Sequence, residues 1–328
     1  MRSGEELGDW RRTHYSTQIT PDQDGKEVTA FGWVSSVRTH GGITFLFVND
    51  KEGMFQVTTI KGKASDRIVE KMKAVGEQTS IGVRGTVKKI AKAPNGAEVI
   101  PSEIRILNPA RKKPSFSVFG GALPSIDKRL DIRAVDLRRD RAQAVFKIQR
   151  VLLQSLRDFF KENGYLEVRT PKLISTATEG GASLFSVLYY NRPSFLTQSP
   201  QLYKEELVIP FEKVYEIGPA FRAEESRTQK HLSEITSIDI EEAFVDYSDV
   251  MDTLEALMRR AAADVEEACA KEFEKLRKHP VEVPKRFERI TYDEVIEQIA
   301  GRRDGIAWGD DITGPDGEEL ARAHPGFY

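Results

Sequence analysis

The chain has 328 residues and a formal net charge of −2; hydrophobic residues make up 39% of it and charged residues 30%. This is enough apolar material for one or two hydrophobic cores. The near-neutral balance gives no overall attraction to nucleic acid, so any polyanion must be bound by local basic clusters. The single cysteine, Cys269, excludes an internal disulfide framework. Because no apolar run could cross a bilayer and the start, MRSGEELGDW, is acidic and polar, we expect a globular cytoplasmic protein.

Residues 26–108 predict an all-β domain. Five segments have the composition of strands: KEVTAFGWVSSVRT, ITFLFVND, MFQVTTI, the run Val83–Ile90, and AEVIPSEIRIL. A short helix is predicted over residues 65–75, between the third and fourth of them. Five strands with a helix after the third are typical of the OB-fold, a small Greek-key barrel that often presents its open face to single-stranded nucleic acid. We therefore take residues 1–108 as one domain.

Three side chains of this domain fit a nucleobase site. An exposed aromatic ring can stack on a base, and short polar groups can bind its edge. Phe45, Gln56 and Glu98 have these properties, and each lies in a predicted strand. Periodicity alone favours a different role for Phe45, as a core side chain.

The segment 109–140 has the composition of a linker. It is rich in proline and glycine and carries two basic clusters, Arg111–Lys113 and Arg138–Arg139. Such a linker beside an OB-fold could contact an RNA backbone. A solvated hinge explains the same composition equally well.

From Asp140 the spacing of apolar residues predicts a helix, which Gly164 ends. The following segment, YLEVRTPKLIS, predicts a strand that contains Pro171. Proline cannot donate a hydrogen bond to a sheet ladder, so we expect this strand at a sheet edge or at an interface.

Two later segments carry candidate substrate-binding groups. In TATEGGASLF, Glu179 is the one acidic residue, next to glycines that permit a mobile loop. FLTQSPQLYKEEL predicts a strand, a turn and the start of a helix, with Gln201 and Lys204 on one helix face. Lys204 could pair with the side-chain carboxylate of a substrate; it could also be a solvated surface cation.

The segment from KVYEIGPAFRAE to Ile240 predicts a long antiparallel hairpin, with Ile235, Ile238 and Ile240 on its apolar inward face. Arg222 lies at the end of the first strand. A guanidinium held by rigid backbone offers a planar fork that matches phosphate oxygens, and a cationic turn could close over a polyphosphate. An ordinary solvated hairpin is the competing interpretation. Beyond it, a long amphipathic helix to about Lys278 and a short capped helix, TYDEVIEQIA, are predicted.

Several of these segments resemble one family. FRAEE…KHLSE…DIE resembles motif 2 of the class II aminoacyl-tRNA synthetases, close to the aspartate, asparagine and lysine branch, and the helix, strand and Pro171 resemble motif 1. The resemblance implies an α+β fold: the OB-fold is an anticodon-binding domain, and residues 141–328 are an antiparallel-sheet catalytic domain with an insertion at 246–328. It places Pro171 at a two-fold homodimer interface.

The resemblance also implies roles for individual residues. It assigns aspartate binding to Glu179, Gln201, Lys204 and the catalytic Arg222, and ATP binding to Arg222, Ala223, Glu224, Lys230, His231 and Leu232. In the OB-fold, Phe45, Gln56 and Glu98 would bind the central anticodon base. Ser35 and the loop Ala93–Asn95 would judge the third base, and neither is of the strict type. Relaxed reading, in which the anticodons of both tRNA(Asp) and tRNA(Asn) are accepted, therefore stays open.

The implied activity is aspartate–tRNA ligation with ATP, aspartate and tRNA as substrates. Lys204 argues against an asparaginyl relative, which stays open as an alternative, as does a non-catalytic tRNA-binding paralogue. Motif 3 is absent from these residues, and the ligands of Mg²⁺ are expected beyond residue 328. We therefore expect a truncated chain that cannot complete the reaction by itself.

Overall fold

The predicted OB-fold is confirmed in the computed structural model. Its five strands form a closed barrel in the order β1-β2-β3-β5-β4, in which only the β3–β5 pair is parallel. The elements are β1 (Glu27–His40), β2 (Ile43–Asn49), β3 (Met54–Ile60), α1 (Asp66–Ala74), β4 (Ser80–Lys89) and β5 (Ala97–Asn108).

The structure describes residues 4–119, 122–176, 184–223, 232–301, 306–312 and 314–324. The chain divides into two compact units, Met1–Val145 and Phe146–Tyr328. None of the helices in these ranges is both long and apolar enough to cross a membrane.

The barrel core follows from strict alternation along its strands. In β2, Leu46 and Val48 are fully buried, whereas Phe45 and Phe47, which alternate with them, are only partly buried. Because successive strand residues point to opposite faces, the two phenylalanines lie on the outer surface of the barrel. Phe45 is therefore not a core residue. Helix α1 adds Ile68 and Met72 to the same core.

The linker contains two short helices, α2 (Ile126–Asp131) and α3 (Arg133–Asp136). Their centre is the fully buried carboxylate of Asp136, which pairs with Arg129 (3.0 Å), Arg133 and Arg139 (3.4 Å). Burial by itself would raise the pKa of Asp136, but the hydrogen bonds and charges of Arg129 and Arg133 outweigh it and hold that pKa below its usual value.

Both ends of this linker pack on the same turn of the barrel. Near its start, the backbone N–H of Ala110 donates to Thr79 Oγ1 (3.2 Å). Near its end, the guanidinium of Arg138 lies 4.4 Å from the ring centroid of Trp33 and donates to Gln78 Oε1. The linker is thus part of the first unit.

In the second unit, the prediction of one continuous strand that contains Pro171 was wrong. After α4 (Asp140–Glu162), the chain forms two separate strands, β6 (Leu166–Glu167) and β7 (Leu173–Ile174), and Pro171 lies between them. β6 pairs with β10 (Lys213–Phe221), whereas β7 pairs with β9 (Arg192–Leu196). Proline has no N–H for a ladder, and the N–H of Thr170 donates instead to the Glu216 side chain.

The elements β8 (Ser186–Tyr189), β9 (Arg192–Leu196) and α5 (Gln201–Phe211) precede the hairpin of β10 and β11 (Glu234–Glu242). The predicted hairpin is confirmed: its register runs from Lys213↔Glu242 to Phe221↔Glu234. The sheet orders are β11-β10-β6 and β7-β9-β8. Phe160 of α4 stacks on Tyr215 of β10 in the core of this unit.

The apolar inward face predicted for β11 was wrong in part. No residue of β11 is buried, and 44% of Ile238 is exposed. Ile235 and Ile238 are three residues apart, so strand alternation puts them on opposite faces. Within the described sheet β11 is also an edge strand, with one neighbour only.

The remaining helices are α6 (Tyr247–Ala268), α7 (Ala270–Leu276), α8 (Tyr292–Ala300) and α9 (Gly314–Ala323). Helix α6 opens with a capping box on Asp246. It ends ten residues before the predicted Lys278, because the backbone of Cys269 is not helical and separates α6 from α7. The capping box predicted at Thr291 is confirmed for α8. Helices α8 and α9 share a small apolar cluster with Ile306.

Replacement of Asp136 by Asn should destabilise the first unit by about 3–5 kcal/mol, because three arginines then lose a buried counter-charge. Urea unfolding followed by tryptophan fluorescence in a Trp308→Phe background, which leaves Trp10 and Trp33, measures this. The matched control is Glu103→Gln, an exposed partner of Arg105 that should cost about 1 kcal/mol or less.

The pKa of Asp136 is lower in the folded chain than in the unfolded chain. The contribution of this carboxylate to the free energy of unfolding is therefore present above the unfolded pKa of about 4 and is lost as the pH falls from there. The acid limb of the stability curve should therefore be shallower in Asp136→Asn. Equal stability of the wild type and this variant would contradict the prediction.

Candidate functional site

The register of the barrel brings the three predicted base-binding residues onto one outer surface. Phe45 of β2 lies opposite Thr58 of β3, Phe47 lies opposite Gln56, and Gln56 lies opposite Glu98 of β5. Directly opposite residues share a face of a sheet. Phe45, Gln56 and Glu98 therefore lie close together, as expected from the sequence.

Hydrogen bonds fix the polar members of this surface. The carboxylate of Glu98 is only 6% exposed, and its Oε2 accepts from Gln56 Nε2 (2.7 Å) and from Thr58 Oγ1 (2.6 Å). Gln56 Nε2 is also 3.1 Å from Thr58 Oγ1. A rigid set of polar atoms beside an aromatic ring is suited to one nucleobase, because the ring supplies stacking and the polar atoms bind the edge.

Sequence reasoning missed three members of this surface: Thr58, Phe47 and Arg38. The guanidinium of Arg38 lies 5.1 Å from the ring centroid of Phe47. The available signal for Phe47 was its position two residues after Phe45, which places both rings on one face.

Ser35 and Asn95, the residues expected to judge the third base, make contacts within the barrel. Ser35 lies at a bulge of β1, where its Oγ donates to the carbonyl of Phe47 (3.1 Å). Asn95 adopts a positive φ of 56° and donates through Nδ2 to the carbonyls of Ser16 (3.0 Å) and Met54 (3.2 Å). A cavity of about 720 Å³ adjoins Phe47; its lining includes Ser35, Met54, Phe119, Arg139 and Arg141.

In the second unit, Arg222 directly follows β10 and is held by backbone contacts on two sides. Its own N–H donates to the carbonyl of Ser233 (3.0 Å), and the N–H of Phe221 donates to the carbonyl of Thr197 (2.9 Å). Ala223 and Leu232 lie at the same open end of the hairpin, where 66% of Leu232 is exposed. The strand end thus gives Arg222 a fixed base, while its side chain reaches the surface.

Four of the predicted site residues lie outside the described residues. Glu179 belongs to the range 177–183, and Glu224, Lys230 and His231 belong to the range 224–231.

Lys204 is not a solvated helix cation. Its side chain is 13% exposed, and its Nζ lies 3.5 Å from a carboxylate oxygen of Asp239 and 3.5 Å from one of Glu241. These two acids alternate along β11 and so share the face that meets α5. The ammonium already pairs with two carboxylates, and a substrate carboxylate would bind it by the same kind of ion pair. Neither acid was singled out from the sequence, although the alternation in IDIEE was the signal.

Gln201 begins α5, and its Nε2 donates to Glu205 Oε1 (2.6 Å). Arg222 and Lys204 contact the hairpin at different points. Arg222 lies at its open end beside Ser233, whereas Lys204 contacts Asp239, six residues further along the chain.

Pro171 is exposed, and the residues on either side of it bind a buried carboxylate. Glu216 of β10 accepts from Thr170 and from Lys172, whose Nζ lies 2.9 Å away. Burial alone would raise the pKa of Glu216, but these donors outweigh it and lower that pKa. No sequence pattern pointed to Glu216, because its partners are more than forty residues away.

Two family models match the chain. Residues 125–321 match "tRNA synthetases class II (D, K and N)", and residues 28–107 match "OB-fold nucleic acid binding domain". An aspartate–tRNA(Asp/Asn) ligase of Methanocaldococcus jannaschii is 42% identical over 97% of this chain and 73% of its own length.

Solved structures agree in fold. The asparaginyl-tRNA synthetase of Pyrococcus horikoshii with asparaginyl-adenylate superposes with a TM-score of 0.86 at 31% identity, covering 95% of this chain and 72% of its own. The aspartyl-tRNA synthetase of Entamoeba histolytica gives 0.79 at 27% identity, covering 98% and 70%. The chain therefore belongs to the class II tRNA synthetases of the D, K and N type and carries their OB-fold domain.

Proposed function

We propose that this chain carries the aspartate-activating and anticodon-binding parts of an aspartate–tRNA ligase that acts in the cytoplasm. The observation that carries the proposal is the largely buried ammonium of Lys204, which pairs with Asp239 and Glu241. These two acids lie on β11, the second strand of the hairpin whose first strand leads into Arg222. The name and 42% identity of the M. jannaschii relative support the same activity.

In the proposed first step, the α-carboxylate of aspartate attacks the α-phosphorus of ATP, and pyrophosphate leaves. The terminal ribose hydroxyl of tRNA then attacks the carbonyl carbon of the aspartyl-adenylate, the mixed-anhydride bond breaks, and AMP leaves. Neither step needs a covalent enzyme intermediate, so the protein contributes position and charge neutralisation.

Arg222 would bridge the attacking carboxylate and the α-phosphate. The hydrogen bonds of Phe221 and Arg222 to Thr197 and Ser233 support this role, because a fixed guanidinium stabilises developing charge without reorganising. Ala223 and Leu232 would line the nucleotide. Glu224 would meet its adenine end, and the loop with Lys230 and His231 would hold the outer phosphates.

Lys204 would bind the side-chain carboxylate of aspartate, exchanging part of its contact with Asp239 and Glu241 for the substrate. Gln201 would contribute from the same helix, and Glu179 would meet the amino group. A side-chain amide would gain little from an ammonium, so Lys204 favours aspartate over asparagine.

The nucleotide would be bound as a complex with magnesium. Among the described residues, no group of three or more His, Cys, Asp or Glu side chains could hold a metal ion.

The barrel would bind the anticodon of tRNA(Asp), with the central base stacked on Phe45 and its edge at Gln56 and Glu98. Reading of tRNA(Asn) as well is supported by the small side chain of Ser35 beside the cavity and by the Asp/Asn name of the relative. Pro171, exposed between β6 and β7, would lie at the interface of a homodimer.

The second candidate is an asparaginyl-tRNA synthetase, which the fold similarity to the P. horikoshii enzyme favours. ATP–pyrophosphate exchange by the full-length enzyme with aspartate or with asparagine decides between them. Exchange with asparagine alone would overturn the aspartate assignment.

Arg222→Ala should lower the rate of aspartate-dependent exchange by roughly 100- to 1,000-fold or more, because the developing charge loses its preorganised partner. The control is Arg259→Ala, which removes a partly exposed pair with Glu255 on α6 and should exchange normally. Wild-type exchange by Arg222→Ala would refute its assignment.

Lys204→Met should raise KM for aspartate by roughly 10- to 100-fold, the loss expected for one charge-assisted hydrogen bond, and leave KM for ATP unchanged. The preference for aspartate over asparagine should shrink with it. Lys271→Met, at an exposed lysine of α7, is the control. An unchanged preference would show that another group selects the amino acid.

Phe45→Ala should weaken binding of tRNA(Asp) by roughly 5- to 100-fold, the range for loss of one stacked base, without changing ATP–pyrophosphate exchange. Filter binding at fixed salt with tRNA(Asp) and tRNA(Asn) transcripts measures this and the relaxed reading together. Phe244→Ala removes an aromatic ring that is 94% exposed in the other unit and serves as control. Equal Kd values for Phe45→Ala and wild type would contradict the stacking role.

A further inference from the structure

A buried carboxylate lies in β10, six residues before Arg222. Glu216 is 3% exposed, and its carboxylate accepts the backbone N–H of Thr170 (3.0 Å), the hydroxyl of Thr170 (2.7 Å) and the ammonium of Lys172 (2.9 Å). A carboxylate with donors of this kind fixes both residues that flank Pro171 against the strand.

The segment that Glu216 anchors is connected to the strand end by two further hydrogen bonds. The carbonyl of Lys172 accepts the N–H of Thr197 (3.1 Å), and the carbonyl of Thr197 accepts the N–H of Phe221 (2.9 Å). Thr197 is fully buried. Arg222 follows Phe221 directly, so its base depends on a chain of contacts that begins at Glu216.

The side chain of Glu216 also packs along its own strand. A Cβ atom on Gly218 would lie 3.1 Å from Glu216 Oε1, so the carboxylate packs over Gly218 of the same strand. The glycine leaves room for this conformation. Glu216 thus contacts both the strand that carries Arg222 and the segment that supports its end.

A buried ion pair is a poor source of net stability, because the cost of removing both charges from water offsets most of their attraction. What such a pair does supply is one fixed geometry. We infer that Glu216 is a positioning residue for Arg222: it fixes the Thr170–Lys172 segment and, through Thr197, the end of β10. This inference rests on the proposed function, because it gives Arg222 the role described there.

A double-mutant cycle in the full-length enzyme tests it. Glu216→Gln keeps the shape and one acceptor but loses the charge, and Arg222→Lys loses the planar fork while leaving a measurable rate. Glu216→Gln should lower kcat for ATP–pyrophosphate exchange by roughly 10- to 100-fold and change KM for aspartate and ATP by less than about 2-fold. Because both residues act through one guanidinium, the double variant should be no slower than Arg222→Lys alone.

The control is Glu167→Gln, a carboxylate on β6 that binds Arg169 and Tyr215 but neither Thr170 nor Lys172, and it should exchange normally. Thermal melts check that the variants fold. If Glu216→Gln does not fold, Lys172→Met replaces it in the same cycle, since it breaks the pair from the more exposed side.

Wild-type kcat in Glu216→Gln, or multiplicative losses in the double variant, would overturn the inference while leaving the proposed function intact. Wild-type exchange by Arg222→Lys and by Arg222→Ala together would instead refute the role of Arg222, and the inference with it. A non-multiplicative cycle with unchanged KM supports Glu216 as a positioning residue.

Discussion

The antiparallel pairing of β10 with β11 is the constraint on which the proposed active site depends. The register from Lys213↔Glu242 to Phe221↔Glu234 brings Arg222 to the open end of the hairpin. The same register directs Asp239 and Glu241 to one face, where they hold Lys204. A slip of one residue would turn every side chain of β11 to the opposite face. In the proposed function, phosphate chemistry and amino acid selection would therefore both depend on one pairing.

In both units a rigid scaffold holds charged groups that would otherwise stay in water. Asp136 is buried with arginines in the linker, and Glu216 is buried with Thr170 and Lys172 in the second unit. Such groups bind their partners in one arrangement only, because an unsatisfied charge in the interior is costly. The specificity of the fold at these points comes from geometry more than from net stabilisation.

Alternation and turn residues were enough to predict the barrel and the hairpin, because these patterns are local. The outward position of Phe45 was not among them, since periodicity alone favoured a core role for that ring. Through-space partners were not predictable. Glu216 meets Thr170 across 46 residues of sequence, and no local pattern encodes that contact. The exposure of Ile238 depends on which neighbours β11 has, and the N–H of Thr170, next to Pro171, donates to Glu216, a partner that is distant in sequence. Ser35 and Lys204 needed the structure to reveal what surrounds them.

In the proposed anticodon site, the buried carboxylate of Glu98 has a consequence for the reading of incorrect bases. Its Oε2 accepts from Gln56 Nε2 and from Thr58 Oγ1, and Gln56 Nε2 also lies 3.1 Å from Thr58 Oγ1, so the donors of these two side chains are already engaged. A base whose edge presents only acceptors would lose its water there and gain no bond in return. Rejection of the wrong anticodon at this position would then arise from the penalty on the incorrect base rather than from extra attraction to the correct one.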